Sequence, residues 1–204
     1  LNYTTAINVS LVNSTQPALT VFCARLIVGD KINRFQFLGI VAAMTGVTIM
    51  VTRADISILM GLEFNIGDLI TILATAVYAM YAVNIRKMPN DLGLFPSVFV
   101  ILILGSIFLL PIYIWETVFI RPVPFSVTFM VSAVTLAILV SILSLALWNK
   151  GNAIIGHNRA SIFVNLFPVY SAILAFIFLG ERVFLYHIIG AGFVCAGIFM
   201  VVRK

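Results

Sequence analysis

Seven apolar stretches, each of the length a helix needs to cross a lipid bilayer, follow one another along the chain with short polar punctuation between them. They run from Ala6 to Val28, Phe35 to Val51, Ile66 to Ile85, Leu94 to Ile114, Val127 to Trp148, Ala153 to Leu179 and Phe184 to Val202. Strands of a membrane barrel would be about 10 residues long with alternating polarity, and runs such as Val98 to Pro111 show no alternation. The chain is therefore expected to be all-α, a polytopic helical membrane protein with seven transmembrane helices. The breakers fall between the stretches, at Gly29 and Asp30, Pro89 to Gly93, Pro122 to Pro124, Asn149 to Asn152, and Gly180 with Glu181.

Composition leaves the bilayer as the solvent. Only 9% of the residues are charged and 62% are hydrophobic, whereas soluble domains carry about a quarter charged residues. Seven acidic and twelve basic side chains cannot supply the polar shell that such a core would need in water. The net charge of +5 is scattered singly or in pairs between apolar runs, without the stripe or cluster that a nucleic-acid partner requires. Cys23 and Cys195 both lie inside apolar runs with no ligand spacing, so neither a disulfide framework nor a metal site is expected, and no cofactor is implied. A chain that opens at Leu1, with no charged leader before its first segment, reads as a piece whose N-terminal part is missing.

Lysine and arginine favour the cytoplasmic ends of short loops. With the C-terminus inside, Arg25, Lys31, Arg34, Arg86, Lys87, Lys150, Arg159, Arg203 and Lys204 collect on the cytoplasmic side, leaving Arg53, Arg121 and Arg182 outside. The expected location is thus an inner or plasma membrane with the C-terminus in the cytoplasm.

The chain also repeats itself. Residues 10–51 match residues 161–202 without a gap: Ser10 meets Ser161, Pro17 meets Pro168, Ala24 meets Ala175, Gly29 meets Gly180, Gly39 meets Gly190, Gly46 meets Gly197 and Val51 meets Val202. Asp30 and Lys31 meet Glu181 and Arg182. Each copy is a proline-bearing helix, a tight Gly-acid-base turn and a glycine-bearing helix, and five helices separate one copy from the next. An odd number inverts the second copy in the membrane, the arrangement from which carriers obtain alternating access to one central site.

The segments "AIIGHNRASIFVNLFPVYSAILAFIFLGERVFLYHIIGAGFVCAGIFMVV" and "AINVSLVNSTQPALTVFCARLIVGDKINRFQFLGIVAAMTGVTIMV" resemble the EamA-type members of the drug/metabolite transporter superfamily. The Ala/Ser-rich lead-in, the proline, the Leu-Gly-Glu turn and two glycines at fixed spacing carry that resemblance, and the first copy departs from it where Asp30 stands for Glu. The resemblance implies ten helices in two inverted five-helix repeats. Residues 1–53 would then be the last two helices of the first repeat, and residues 66–204 the complete second repeat.

Polar side chains inside spanning segments usually face the bundle interior. Asn158, Ser161, Asn165 and Pro168 share one helical face, and Pro168 frees a backbone carbonyl near mid-helix. Asn13, Gln16 and Pro17 belong to an unusually polar run, some of whose hydroxyls are expected to bond to their own backbone. Thr75 and Tyr78 share a face with Thr71 and Tyr81. These residues are the candidate substrate cavity, although the prolines read equally as kinks, the amides as bridges between helices, and Tyr81 as an interface anchor. Gly29, Gly39, Gly46, Gly180, Glu181, Gly190 and Gly197 are assigned to turns and close helix packing. Arg25, His157 and Arg159 lie near cytoplasmic ends, where snorkelling explains them.

The expected function is secondary transport, by export or exchange, of a small organic metabolite, amino-acid-like or drug-like. The partners are that small molecule and the lipid bilayer, with a homodimer left open. A sugar-phosphate or nucleotide-sugar carrier would want paired basic residues deep in the cavity. A scaffold or receptor has little reason to repeat in inverted register. An intramembrane enzyme finds only His157 with Ser161, one helical turn apart, so no catalytic residues are assigned, and no Walker-type glycine loop supports an ATP-driven pump.

Overall fold

The structure is a computed structural model that describes residues 4–85, 93–120 and 126–203. Arg86, Lys87, Arg121 and Lys204 of the charge pattern, and the breakers at 89–92 and 122–124, lie outside the described residues. Those that are described form helices joined by short turns, with no strand among them.

Two compact units are present. The first, residues 1–86 and 155–204, carries both copies of the repeat. Its opening apolar segment is helical but interrupted: α1 (Ala6–Ser14) ends at Thr15 and α2 (Gln16–Ile27) begins with Pro17 in its first turn. Proline lacks the N–H that would continue the ladder. The hydroxyls of Ser14 and Thr15 donate instead to the carbonyls of Leu11 and Val12, each at 2.7 Å. The corresponding segment near the C-terminus breaks in the same place. There α9 (His157–Ser161) passes through a 3₁₀ stretch (Ile162–Leu166) into α10 (Phe167–Leu179), again with proline in the first turn.

The following turns correspond too. Gly29 and Gly180 have φ of 78° and 67°, a conformation that glycine adopts without steric cost. The next residue in each turn, Asp30 or Glu181, donates its N–H to the carbonyl of Ala24 or Ala175, both at 3.3 Å. After them come α3 (Arg34–Val51) and α11 (Leu185–Val202), whose ends correspond residue for residue under the repeat.

Glycines decide how α3 and α11 meet. A methyl group on Gly39 would sit 2.6 Å from the carbonyl oxygen of Gly197, and one on Gly46 would sit 2.5 Å from that of Gly190. Since Gly190 is the repeat mate of Gly39 and Gly197 that of Gly46, the antiparallel contact pairs the first glycine of each copy with the second glycine of the other. Backbones can approach this closely only where side chains are absent. Ile40, Ala43, Val201 and the 3₁₀ residue Ile162 pack into the core beside it.

The remaining elements of this unit are a short α4 (Ile56–Met60) and α5 (Ile66–Asn84), which packs on α1 and α2. Asn65 caps α5 in a reciprocal box with Asp68. The buried Asp68 carboxylate also accepts hydrogen bonds from Thr4 and from Asn8 of α1, the latter at 2.9 Å.

The second unit, residues 87–154, holds α6 (Leu94–Phe119), with Pro111 in its interior, then α7 (Val127–Leu136) and a π-helical stretch (Ala137–Ser144) leading into α8 (Leu145–Ile155). Among the described residues six helical stretches, His157–Leu179 with its 3₁₀ passage among them, are long and apolar enough to cross a membrane. The seventh predicted span is the one broken at Thr15. Large apolar side chains stay exposed along both units, among them Phe22, Phe37, Phe108 and Phe178, a surface that suits hydrocarbon rather than water.

Candidate substrate cavity

A cavity of about 400 Å³ lies between α1 and α10. Ser10, Asn13 and Ser14 line it from α1, Val47, Met50 and Val51 from α3, and Val164 and Asn165 from the 3₁₀ stretch. Phe167, Pro168, Ser171, Ala172 and Ala175 of α10 form the opposite wall, with Glu181 and His187 at one end. The cavity sits at the helix breaks because that is where the backbone leaves its ladder and polar side chains can be held off the apolar wall.

Its polar groups differ in how they are occupied. Ser10 and Ser14 donate to their own helix, at 2.8 Å to Ala6 and 2.7 Å to Leu11. Asn13 accepts the Thr75 hydroxyl of α5 at 3.3 Å. Asn165 is 1% exposed, and neither its amide oxygen nor its nitrogen has a hydrogen-bond partner among the described residues. Each orphaned buried group of that kind costs about 1–3 kcal/mol. His187 accepts the Phe184 N–H at its Nδ1, at 3.1 Å, so in the neutral ring the proton sits on Nε2.

Of the residues expected from the sequence, Asn13, Asn165 and Pro168 are brought together on the cavity wall. Thr75 stands behind it, holding Asn13. Gln16 and Pro17 are buried in the helix packing, as is Ser161, whose hydroxyl faces the Asn158 carbonyl at 3.3 Å. Tyr78 lies against Tyr81, with ring centroids 5.8 Å apart. Asn158 lines a separate recess with Asp30, Lys31, Gln36, His157 and Arg159. Glu181 stands in the turn assigned to it from sequence and also borders the cavity, which Ser171 and His187 line without having been expected there. Repeat correspondence was the available signal, since Ser171 is the mate of Thr20 and Glu181 of Asp30. His157, expected to snorkel, is instead 2% exposed with its Nε2 3.0 Å from Asp30 Oδ2.

The repeat also reveals an asymmetry. The mates of Pro168, Ser171 and Ala175 are Pro17, Thr20 and Ala24, and all three are fully buried in α2, which packs against α9 and α5. The α1–α10 side is thus open as a cavity, while its mate, the α9–α2 side, is closed.

The chain is similar to proteins of one family along nearly all its length. A family model described as "EamA-like transporter family" matches residues 1–52 and 65–203. An "Uncharacterized transporter YyaM" of Bacillus subtilis (strain 168) is 29% identical over 200 residues, which make up 97% of this chain and 65% of that protein. An "Uncharacterized transporter" of Archaeoglobus fulgidus is 26% identical over 204 residues, 69% of its own length. A solved crystal structure covers the whole chain with a TM-score of 0.76 at 17% identity, the chain spanning 70% of it.

Proposed function

This chain belongs to the EamA-like transporter family, and from that premise we propose that it forms the larger part of a secondary carrier that exports or exchanges a small organic metabolite by alternating access. The observation that carries the reading is the cavity between two broken helices, open on the α1–α10 side while the mate contact of α2 with α9 is closed. Exchanging the conformations of the two copies would close the first and open the second. In this reading residues 1–53 are the end of one five-helix repeat and residues 66–204 the whole of the next. The antiparallel glycine contact of α3 with α11 is the axis about which they exchange.

The wall chemistry supports neutral or zwitterionic cargo. Amides and hydroxyls of Asn13, Ser10 and Asn165 face an apolar wall, and Glu181 and His187 stand only at one end. Sidedness is read from the charge pattern, in which Arg25, Lys31, Arg34, Arg159 and Arg203 are set against Arg53 and Arg182. The more basic end, with the C-terminus, is assigned to the cytoplasm. A carrier is favoured over an intramembrane enzyme because the Ser161 hydroxyl, the one candidate nucleophile beside His157, faces the Asn158 backbone carbonyl at 3.3 Å.

The test is counterflow by the full-length protein in proteoliposomes against pooled labelled amino acids and small amines, with Asn165→Ala and Pro168→Ala alongside. The reading expects saturable flux that falls at least about ten-fold in either variant. A well-folded protein with no flux across the pool, in either orientation, overturns it.

A further inference from the structure

The geometry points to a latch: we infer that His157 and Asp30 are positioning residues that hold the α2–α9 side shut, and that parting them lets cargo leave by that side. The inference rests on the carrier reading above.

The two side chains come from different copies of the repeat. His157 opens α9 directly after Gly156, whose φ of 86° bends the chain there. Asp30 stands in the turn that ends α2, fastened to it by its N–H on the Ala24 carbonyl at 3.3 Å. A carboxylate only accepts, so the imidazole donates its Nε2–H across the 3.0 Å gap whether or not the ring is charged. The His157 ring is 2% exposed and Asp30 39%, which leaves one partner sealed inside the contact and the other at its rim. Because Asp30 is tied to α2 and His157 to α9, separating the helices must break this bond.

The opposite side has no equivalent. The mate of Asp30 is Glu181, on the open cavity, and the mate of His157 is Ala6, which has no polar side chain. The pair therefore biases the molecule toward the arrangement in which α1–α10 is open and α2–α9 closed. Lys31 and Arg159, the other charged groups lining the recess, can take up the Asp30 carboxylate once His157 moves away. That second partner keeps the opening reversible instead of prohibitive.

The experiment uses the full-length carrier in proteoliposomes, with Cys23 and Cys195 replaced by serine and one reporter cysteine introduced at a time. Thr20→Cys reports on the buried face of α2 and Ser171→Cys on the cavity, and each is labelled with a membrane-impermeant maleimide without cargo. Asp30→Ala and His157→Ala are expected to raise labelling at position 20 about ten-fold and to lower it at position 171, with Asp30→Asn, which keeps an acceptor, in between. Labelling that is unchanged at both reporters, or that rises at both together as simple loosening would produce, overturns the latch. Wild-type counterflow in the same vesicles separates the two claims. Reciprocal labelling without flux leaves the hold of His157 and Asp30 on the α2–α9 side standing and removes the carrier reading with its cargo, whereas flux without reciprocal labelling removes the latch alone.

Discussion

At the scale of single residues, occupancy separates the cavity's groups more than position does. Ser10, Ser14 and Thr15 look alike in the sequence as a polar run, yet each hydroxyl is spent on its own helix. Asn165 alone on that wall has a buried amide with no partner among the described residues. Replacing it with leucine removes two orphaned polar atoms, so Asn165→Leu should leave the thermal midpoint unchanged or raise it while abolishing most flux. A variant that loses stability in a melting scan and keeps its flux would show the amide to be structural. Asp68 is the opposite case: its carboxylate serves Thr4, Asn8 and the Asn65 N–H at once. Asp68→Ala is expected to lower the midpoint more than Asp55→Ala, whose carboxylate caps a five-residue helix at the surface. Asn165 and Pro168 were legible because helical phase gathers them on one face. Glu181 was read only as a turn residue, because nothing in the sequence says that the end of a cavity lies beside that turn. His157 was misjudged because its partner is 127 residues away in sequence.

At the scale of elements, proline and glycine set the geometry. All seven apolar stretches could be read from length alone, but the break at Thr15 could not, since a proline near mid-segment reads equally as a kink in a continuous helix. Pro17→Ala restores an N–H and should allow α1 and α2 to run on as one helix. It is expected to slow amide exchange across residues 13–19 and reduce flux without unfolding the protein. The α3–α11 contact gives a sharper contrast. Gly46→Ala drives a methyl group into the Gly190 carbonyl, and overpacking of this kind costs about 1–3 kcal/mol. At roughly 2–4 °C per kcal/mol for a chain of this size, the midpoint should fall several degrees. Gly192→Ala, on the partner helix α11 with no heavy atom of the described residues within 4 Å, should leave it unchanged or slightly higher, as alanine favours the helix. Equal effects of the two substitutions in a melting scan would contradict the close backbone contact.

At the scale of the molecule, one repeat sequence is held in two different arrangements. The correspondence of the copies was legible at the level of residues, from Pro17 and Pro168 through Gly46 and Gly197. Which copy is sealed was not, because that is a property of packing between copies and the mates are chemically alike. Thr20 and Ser171 differ by one methyl group, yet Thr20 is fully buried and Ser171 lines the cavity. Local sequence fixes each helix, and in the latch proposed above the state is set by the contact of His157 with Asp30, which among the described residues only one side possesses. The measurement that tests the exchange most directly is cross-linking of mate positions in the full-length protein, Ser10→Cys with Ser171→Cys and Thr20→Cys with Ser161→Cys, under turnover. The account predicts that a short bifunctional reagent links either pair, that each link stops flux, and that no molecule carrying all four cysteines is linked at both pairs. Efficient double linkage, or flux that survives either link, would contradict alternating access by exchange of the two copies.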